Sequence, residues 1–374
     1  MSKLRIAVLW SNFGPYHMAR LSALNEVCDV VAIQIHGRED SRGWERINPP
    51  PGLEVRTLIE GLEQRGRLGL APAVWNALNE AKPAAVLVPG YAEGMALTAA
   101  AWAKLHGRPA LLMNESTLDD RPRRLWVERC KRQLVRALYD GAVVGGVRSA
   151  AYTESLGMHR ARIGYGHNVV DNNFFAEGCA RIRSAAPAHE FEGLRPYFLY
   201  VGRLAAEKNL TRLLQAFAVY RHGGGGSDLV LAGGGPAEAE LRRTALEERI
   251  SDAVHFMGAR PSAALLHCYA WAECLVLPSL SEPWGLVVNE AMAAGLPALV
   301  SNRCGCVDDL IEIGGNGWTF EPEDVGALTD ALWLIDRLDA PARKAMGARS
   351  QQIIAGYTPQ KFAQEVSRLL CAPR

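Results

Sequence analysis

Short apolar runs alternate with longer segments of mixed character along most of the chain. A first series of runs lies at 6–10, 30–35, 85–89, 110–113 and 142–144. A second series lies at 197–201, 229–232, 254–257, 274–277 and 298–300. Between the runs, apolar residues recur at helical spacing, for example over 210–220. Buried strands that alternate with helices predict parallel sheets with helices on both faces.

The two series predict two doubly wound α/β domains. Residues 176–195, with Gly178, Pro187 and Gly193, have mixed charge and no sustained period, which predicts a linker. The N-terminal domain is then 1–175 and the C-terminal domain 196–357. Ligands of open parallel sheets bind beyond the carboxyl ends of the strands, so we expect the site in a cleft between the two sheets.

The last part of the chain carries a separate helical pattern. Apolar Phe362, Val366 and Leu369 recur at helical spacing after Thr358-Pro359. This pattern predicts a closing helix within 358–374, which we expect to pack back on the N-terminal domain.

Composition narrows the class of protein. The chain has 374 residues, of which 49% are hydrophobic, in keeping with two globular domains. Lys and Arg number 41 against 40 Asp and Glu, so a nucleic-acid partner held by excess positive charge is not expected. No run approaches the roughly twenty apolar residues of a membrane span, and the apolar start of the chain is interrupted by Arg5. Eight scattered cysteines fit free thiols and a cytoplasmic location.

Two cations follow the first strand of the second series. Gly202 allows a sharp turn, after which Arg203 and Lys208 lie at the carboxyl end of a strand and beside a helix start. Two cations and unpaired amides there suit a diphosphate. The alternative is a solvated loop whose charges pair with Glu207.

A second segment, residues 279–297, places two carboxylates around a helix start. Pro283 fits a first helical position, which puts Glu282 in the cap region and leaves the amides near Gly285 and Leu286 without helical partners. Glu290 follows about two turns further on. Glu282 and Glu290 therefore suit different hydroxyls of one polyhydroxylated ligand, or else they only cap the helix.

The motifs together resemble the glycosyltransferase family four group of GT-B enzymes, also described as glycosyl transferases group 1. The resemblance covers most of residues 195–357 and rests on the Gly202-Arg203 to Lys208 segment, the strand and glycine turn that end at Gly235, Val254 to Gly258 with Phe256 and Met257, the Glu282 and Glu290 pair, and Asn316 to Phe320. Residues 168–175 resemble the family's linker signature. The family implies a GT-B fold of two facing Rossmann-like domains and retaining transfer from a nucleotide-sugar.

By this resemblance, Arg203 and Lys208 hold the donor diphosphate. Glu290 binds the ribose, Glu282 binds the sugar, and the backbone near Phe256 and Met257 faces the base. The segment from Pro283 and Trp284 to Gly285 and Leu286 offers amides to the donor, and Gly202 and Gly235 also lie beside it. The resemblance implies no cofactor and no metal, and no Asp-x-Asp follows a strand. UDP-sugar is the donor we expect, with GDP- and ADP-sugars left open.

The N-terminal domain departs from the family pattern. Gly14 is the one glycine in the first strand-to-helix turn, where relatives have a glycine-rich loop, and the usual mid-domain histidine is replaced by Asn114-Glu115. Asn114 or Glu115 is a candidate for the sugar or for the acceptor hydroxyl, with a helix start as the alternative for Glu115. His17 is a candidate acceptor contact, or else a partly exposed helix residue.

The acceptor is left open as a glycan, a glycolipid or a small molecule. Residues 121–136 form a basic amphipathic segment that suits peripheral contact with an anionic membrane at its inner face, or else a solvated helix face. A sugar-nucleotide epimerase of the same fold and a non-catalytic carbohydrate-binding protein are the alternative functions. A dehydrogenase is disfavoured because residues 232–236 lack the Gly-x-Gly-x-x-Gly spacing.

Overall fold

The computed structural model describes residues 3–36, 49–59, 70–185, 191 and 193–372. The chain forms two compact units. One unit contains Met1–Val170 together with Tyr357–Arg374, and the other contains Asp171–Gly356. The chain therefore passes between the units twice.

The first unit is built on a parallel sheet. Its described strands pair in the order β3-β2-β1-β4-β5-β6-β7, and each pairing is parallel. The strands are β1 (Arg5–Trp10), β2 (Asp29–His36), β3 (Glu54–Ile59), β4 (Ala85–Pro89), β5 (Ala110–Asn114), β6 (Gly141–Val144) and β7 (Ile163–Tyr165).

Helices cover both faces of this sheet. Alternate residues of β1 serve the two faces: Ala7 and Leu9 pack in one core, and Ile6 and Val8 in the other. The second core includes residues of α1 and α14, which contact each other. The helices of the unit are α1 (Pro15–Val27), α2 (Leu70–Ala81), α3 (Gly94–Leu105), α4 (Leu125–Leu138), α5 (Val147–Ser155) and α14 (Pro359–Cys371).

The second unit repeats the plan. Its described strands pair in parallel in the order β10-β9-β8-β11-β12-β13. They are β8 (Tyr197–Val201), β9 (Asp228–Ala232), β10 (Val254–Gly258), β11 (Cys274–Leu277), β12 (Ala298–Ser301) and β13 (Gly317–Phe320). The helices are α6 (Asn172–Arg183), α7 (Leu210–His222), α8 (Glu238–Glu247), α9 (Ser262–Trp271), α10 (Leu286–Ala293), α11 (Val307–Leu310), α12 (Val325–Asp336) and α13 (Ala340–Ile354).

The predicted fold class is confirmed, and all ten predicted strands are present. Three more described strands, β3, β7 and β13, were not predicted from the apolar runs. Strand β3 lies at a sheet edge and all six of its residues are half-buried, so its sequence mixes Glu54 and Arg56 with apolar residues. An edge strand of this kind lacks the continuous apolar run of a central parallel strand.

The predicted linker at 176–195 differs from the structure, because α6 extends through its first eight residues to Arg183. The Asp171 side chain caps this helix by accepting a hydrogen bond from the Phe174 amide at 3.1 Å. Phe175 and Cys179 then bury one side of the helix at a spacing of four residues. Glycine at position 178 lies where an added Cβ would meet Leu266 at 2.6 Å, so close helix packing explains it. Residues 186–190 and 192 lie outside the described residues.

Candidate functional site

The turn after β8 is fixed by a buried asparagine. Asn209 adopts the left-handed conformation, with φ of 59°. Its Nδ2 donates to the carbonyls of Pro278 at 3.1 Å and Pro322 at 2.6 Å. These bonds tie the start of α7 to the chain segments that follow β11 and β13. The turn that carries the predicted cations is therefore held at the carboxyl edge of the sheet.

Lys208 lies against Glu282, although the two residues are far apart in sequence. Lys208 Nζ donates to Glu282 Oε2, and their side chains are 19% and 16% exposed. The Leu280 amide donates to the Glu207 carbonyl at 2.9 Å, which joins the same two loops through the backbone. A predicted phosphate-binding cation and a predicted sugar-binding carboxylate thus form one partly buried pair.

Arg203 has a different environment. Its side chain is 60% exposed and pairs with Glu207 four residues later, as the solvated-loop alternative expects. The pKa of Glu207 is lowered by a hydrogen bond to its own backbone amide and by Arg203. An exposed pair of this kind contributes little to stability, which leaves the guanidinium able to change partners.

The glycine turn after β9 packs directly against the turn after β8. The Gly202 amide donates to the Ala232 carbonyl at 3.0 Å, and the Leu204 amide donates to the Gly234 carbonyl at 2.9 Å. A Cβ at Gly235 would lie 2.3 Å from the Leu204 carbonyl oxygen. The resemblance placed Gly235 beside the donor; the structure shows that glycine is needed there for backbone packing.

Helix α10 begins later than the sequence predicted. Gly285, not Pro283, immediately precedes the helix, with φ of 104° and no side-chain cap, and Leu286 is the first helical residue. Placing Pro283 in the first turn was therefore wrong, because the left-handed Gly285 redirects the chain after it. Glu282 lies before the helix, where its backbone forms an isolated β-bridge with Cys304, and Glu290 lies inside the helix. Neither carboxylate is therefore a helix cap. The first amides of α10 lack side-chain capping and the helix dipole favours an anion there.

Glu290 lies just over one turn into α10, not two turns. It is 1% exposed, and Tyr269 Oη donates to its Oε2 at 2.6 Å. This contact fixes the orientation of the carboxylate from α9. Trp284 is 2% exposed and its indole nitrogen donates to Asn289 Oδ1 at 2.8 Å. The Trp284 side chain therefore serves the core, and its backbone is what remains for a ligand.

The strand end at Phe256 and Met257 lies at the edge of the sheet. The Arg242 guanidinium carbon lies 4.3 Å from the centre of the Phe256 ring, and Arg260 donates to the Met257 carbonyl at 3.0 Å. Both residues are half-buried. The ring face of Phe256 is thus occupied by a cation from α8, and the backbone of Phe256 lies in β10 at the sheet edge.

In the first unit, Gly14 and His17 form a local cap. Gly14 precedes α1, and its amide donates to His17 Nδ1 at 2.9 Å. His17 is 8% exposed and packs on Trp10 with ring centres 4.6 Å apart. The expectation of a partly exposed helix residue was wrong, because the cap and the aromatic contact draw the imidazole into the core.

Asn114 is the last residue of β5 and Glu115 follows it, and their side chains have different surroundings. Asn114 is buried, donates to Thr153 Oγ1 at 3.0 Å and accepts from the Ser116 amide at 3.2 Å. The Glu115 side chain is 53% exposed. The helix-start alternative for Glu115 was wrong, since α4 begins ten residues later at Leu125.

Glu115 belongs to a group of polar side chains that sequence reasoning missed. His167 Nε2 lies 3.2 Å from Glu115 Oε1, and His167 Nδ1 lies 3.2 Å from Arg20 Nη1. Arg20 is 3% exposed, donates to the His167 carbonyl and lies 4.9 Å from the centre of the Trp10 ring. The available signals were a lone arginine among apolar positions of α1 and a histidine directly before the linker signature at 168–175.

These contacts determine the form of His167. Arginine nitrogens only donate, so Nδ1 accepts and the proton of the neutral ring lies on Nε2, facing Glu115. Burial and the charge of Arg20 lower the pKa of His167, while Glu115 acts in the opposite direction. Burial also lowers the pKa of Arg20 to about 10, which leaves it charged at neutral pH. We call these three residues the Arg20–His167–Glu115 cluster.

Among the described residues, no three His, Cys, Asp or Glu side chains cluster as metal ligands. None of the described helices is long and apolar enough to cross a membrane.

Comparisons with known proteins give a family match that lies mostly in the second unit. Residues 183–352 match the family described as glycosyl transferases group 1. Glycogen synthase of Mycobacterium tuberculosis is 35% identical over 179 residues, which are 47% of this chain and 42% of that protein. The chain thus matches less than half of that curated relative.

Solved structures match nearly the whole chain in fold. Sucrose-phosphate synthase from Thermosynechococcus elongatus has a TM-score of 0.74 at 19% identity, with 98% of each chain covered. HepE of Anabaena, solved in complex with UDP and glucose, has a TM-score of 0.74 at 17% identity, with 97% of this chain and 98% of that chain covered. These similarities establish a two-domain Rossmann-like GT-B fold.

Proposed function

We propose that this protein is a retaining glycosyltransferase that moves a sugar from a nucleotide-sugar to an acceptor hydroxyl without a metal ion. The observation that carries the proposal is the Lys208–Glu282 pair at the carboxyl edge of the second sheet. This pair lies within the segment that matches glycosyl transferases group 1. The UDP in the HepE structure supports a UDP-sugar as donor.

The donor binds through charge and backbone amides. Arg203 and Lys208 hold the diphosphate, and the first amides of α10 at Gly285 and Leu286 receive a phosphate or sugar oxygen. Glu290 accepts from the ribose hydroxyls, with Tyr269 holding its other side. The backbone at 256–257 faces the base.

The sugar is positioned by Glu282. When a diphosphate attracts Lys208, the contact between Lys208 and Glu282 weakens, and the carboxylate accepts from sugar hydroxyls instead. The pair thus keeps both groups oriented before the donor arrives, which reduces the reorganisation needed for transfer.

In the transfer step, the bond between the anomeric carbon and the diphosphate oxygen breaks. The acceptor oxygen forms its bond to the same face of that carbon, and its proton passes to an oxygen of the departing phosphate. The negative charge that develops on the nucleoside diphosphate is stabilised by Arg203, Lys208 and the N-terminus of α10. These groups supply the positive charge that the step requires, so the proposal needs no metal ion.

The first unit supplies the acceptor side. Glu115 carries an exposed carboxylate beyond β5, and the Arg20–His167–Glu115 cluster holds it through the Nε2 proton of His167. We assign Glu115 to the acceptor hydroxyl and His167 to its positioning. Gly14 and His17 support the neighbouring turn after β1. A glycan, a glycolipid or a small molecule would each present such a hydroxyl.

The test is a panel of UDP-, GDP- and ADP-sugars. A donor that binds the native state raises the melting temperature, and that donor is then incubated with candidate acceptors. We expect transfer with retained anomeric configuration by NMR, and about 100-fold lower kcat/KM for Glu290→Ala. Inversion would refute the retaining mechanism, an isomerised donor would establish an epimerase, and binding without turnover would establish a carbohydrate-binding protein.

A further inference from the structure

Helix α4 separates its charges into two faces. On the inner face, Glu128 accepts from Lys131 at 2.7 Å and from the Tyr152 hydroxyl at 2.7 Å. Arg123, just before the helix, pairs with Asp120, and its guanidinium carbon lies 4.1 Å from the centre of the Tyr152 ring. The cations on this side thus have partners within the first unit.

The outer face carries cations of a different kind. Arg129, Arg132 and Arg136 are exposed and follow one another at spacings of three and four residues, so they form a single stripe on the helix. Across the part of the chain that the structure describes, no carboxylate forms an ion pair with these three arginines. Like charges at this spacing destabilise a helix unless a counter-charge is supplied.

Large apolar side chains are exposed at the N-terminal end of the same helix. Leu125 is 82% exposed and Trp126 is 65% exposed, and Leu118 in the preceding loop is 50% exposed. Leu125 precedes Arg129 by four residues, so it continues the arginine stripe. We call Leu118, Leu125, Trp126 and the three arginines the α4 surface.

We infer that the α4 surface docks on a membrane that contains anionic lipid. Arginines attract anionic headgroups, and tryptophan and leucine enter the boundary between headgroups and acyl chains. A soluble polyanion would satisfy the arginines but would give Leu125 and Trp126 no apolar environment. The combination therefore favours a lipid surface, with the protein held peripherally.

The position of this surface has a consequence for the acceptor. Glu115 and Leu118 lie in the same connection between β5 and α4, three residues apart. A membrane under Leu118 would thus lie beside the carboxylate assigned to the acceptor hydroxyl. Docking itself does not depend on the proposed function, whereas delivery of a lipid-borne acceptor does.

The experiment is sedimentation of the full chain with vesicles. One set contains phosphatidylcholine alone, and the other replaces roughly one third of it with phosphatidylglycerol. We expect binding to the second set only, weakening as ionic strength rises because salt screens exposed charges. Arg129→Gln/Arg132→Gln/Arg136→Gln should weaken binding on the order of 100-fold, at roughly fivefold for each arginine.

A matched control removes the same charge elsewhere. Arg181, Arg249 and Lys344 are exposed cations of the second unit, and changing all three to Gln lowers the formal net charge from +1 to −2, as the α4 triple variant does. We expect this control to bind vesicles nearly as wild type. Equal loss in both triple variants would overturn the inference in favour of non-specific charge attraction.

A second variant tests the apolar part. Leu125→Ser/Trp126→Ser keeps all the arginines and should reduce vesicle binding while leaving retention on heparin unchanged. Vesicle binding that ignores these two substitutions, or that ignores anionic lipid, would overturn the membrane assignment. All substituted residues are exposed, so far-UV circular dichroism and the melting temperature should match wild type. Because docking is measured without donor or acceptor, its failure is distinct from a failure of sugar transfer.

Discussion

Replacing Lys208 with Met removes a cation while keeping an unbranched side chain of similar length. In the free protein the substitution leaves Glu282 without its lysine, with the carboxylate side chain 16% exposed. In the donor complex it removes one of two proposed cations from the diphosphate. The two effects make different predictions for stability and for transfer.

The expected magnitude follows from the surroundings of Lys208. A unit charge 4 Å from a phosphate charge is worth about 4 kcal/mol at an effective dielectric constant of about 20. The side chain keeps 19% of its exposure, so solvent screens part of this energy. Loss of one preorganised electrostatic contact commonly costs about 10²- to 10³-fold in rate, and we expect roughly 100-fold lower kcat/KM. The unpaired Glu282 should cost about 1–3 kcal/mol of stability.

A double variant separates the two roles. In Lys208→Met/Glu282→Gln neither charge is left alone, so stability should recover in part while transfer stays low. The assays are urea unfolding, release of the nucleoside diphosphate and calorimetric titration with UDP. Arg243→Met, which removes an exposed cation of α8, is the control. Recovery of transfer together with stability would refute a role for Lys208 in the reaction.

Three further predictions concern other parts of the molecule. Burial and Arg20 lower the pKa of His167 below its ordinary value of 6.5, so below about pH 6.5 the unfolded chain gains a proton that the native chain resists. The free energy of unfolding should therefore fall as the pH is lowered, and His167→Gln should lessen that fall in urea unfolding between about pH 5 and 7.5. An equal dependence on pH in both proteins would contradict the lowered pKa of His167. Gly285→Ala combines φ of 104° with a Cβ 2.8 Å from Leu277, and should lose about 1–3 kcal/mol in thermal unfolding. Gly314→Ala, with φ of 75° and nothing within 4 Å, is its control, and an equal loss would mean that the Leu277 contact has no effect. Treatment with a chelator should leave the transfer rate unchanged, and a loss restored by a divalent ion would overturn the metal-free mechanism.

The sequence predicted the elements better than their boundaries. Continuous apolar runs located ten strands, nine of them central in their sheets, because buried parallel strands tolerate few polar residues. The start of α10 was misplaced because Pro283 matches a general preference for first helical positions, whereas the chain turns at the left-handed Gly285. The preference of proline for first helical positions is local in sequence. The turn at Gly285 instead depends on the β-bridge that joins Glu282 to Cys304, about twenty residues later.

The candidate site was predictable as residue types but not as contacts. Arg203, Lys208, Glu282 and Glu290 stand in recognisable motifs, yet the pairing of Lys208 with Glu282 depends on how two loops meet at one sheet edge. Of the Arg20–His167–Glu115 cluster, only Glu115 was a candidate from the sequence, because the three members come from α1, the segment after β7 and the end of β5. Sequence spacing carries no information about such contacts between distant segments.

The final helix affects how the first unit can be made during synthesis. Phe362, Val366 and Leu369 of α14 are fully buried in a core that also contains Ile6 and Val8 of the first strand. About 200 residues separate Val170 from the end of this helix, which corresponds to roughly 10–40 s of translation. During that interval the nascent first unit exposes the apolar surface that α14 will cover. The second unit can complete its own core earlier, so the first unit matures last although most of it is synthesised before the second.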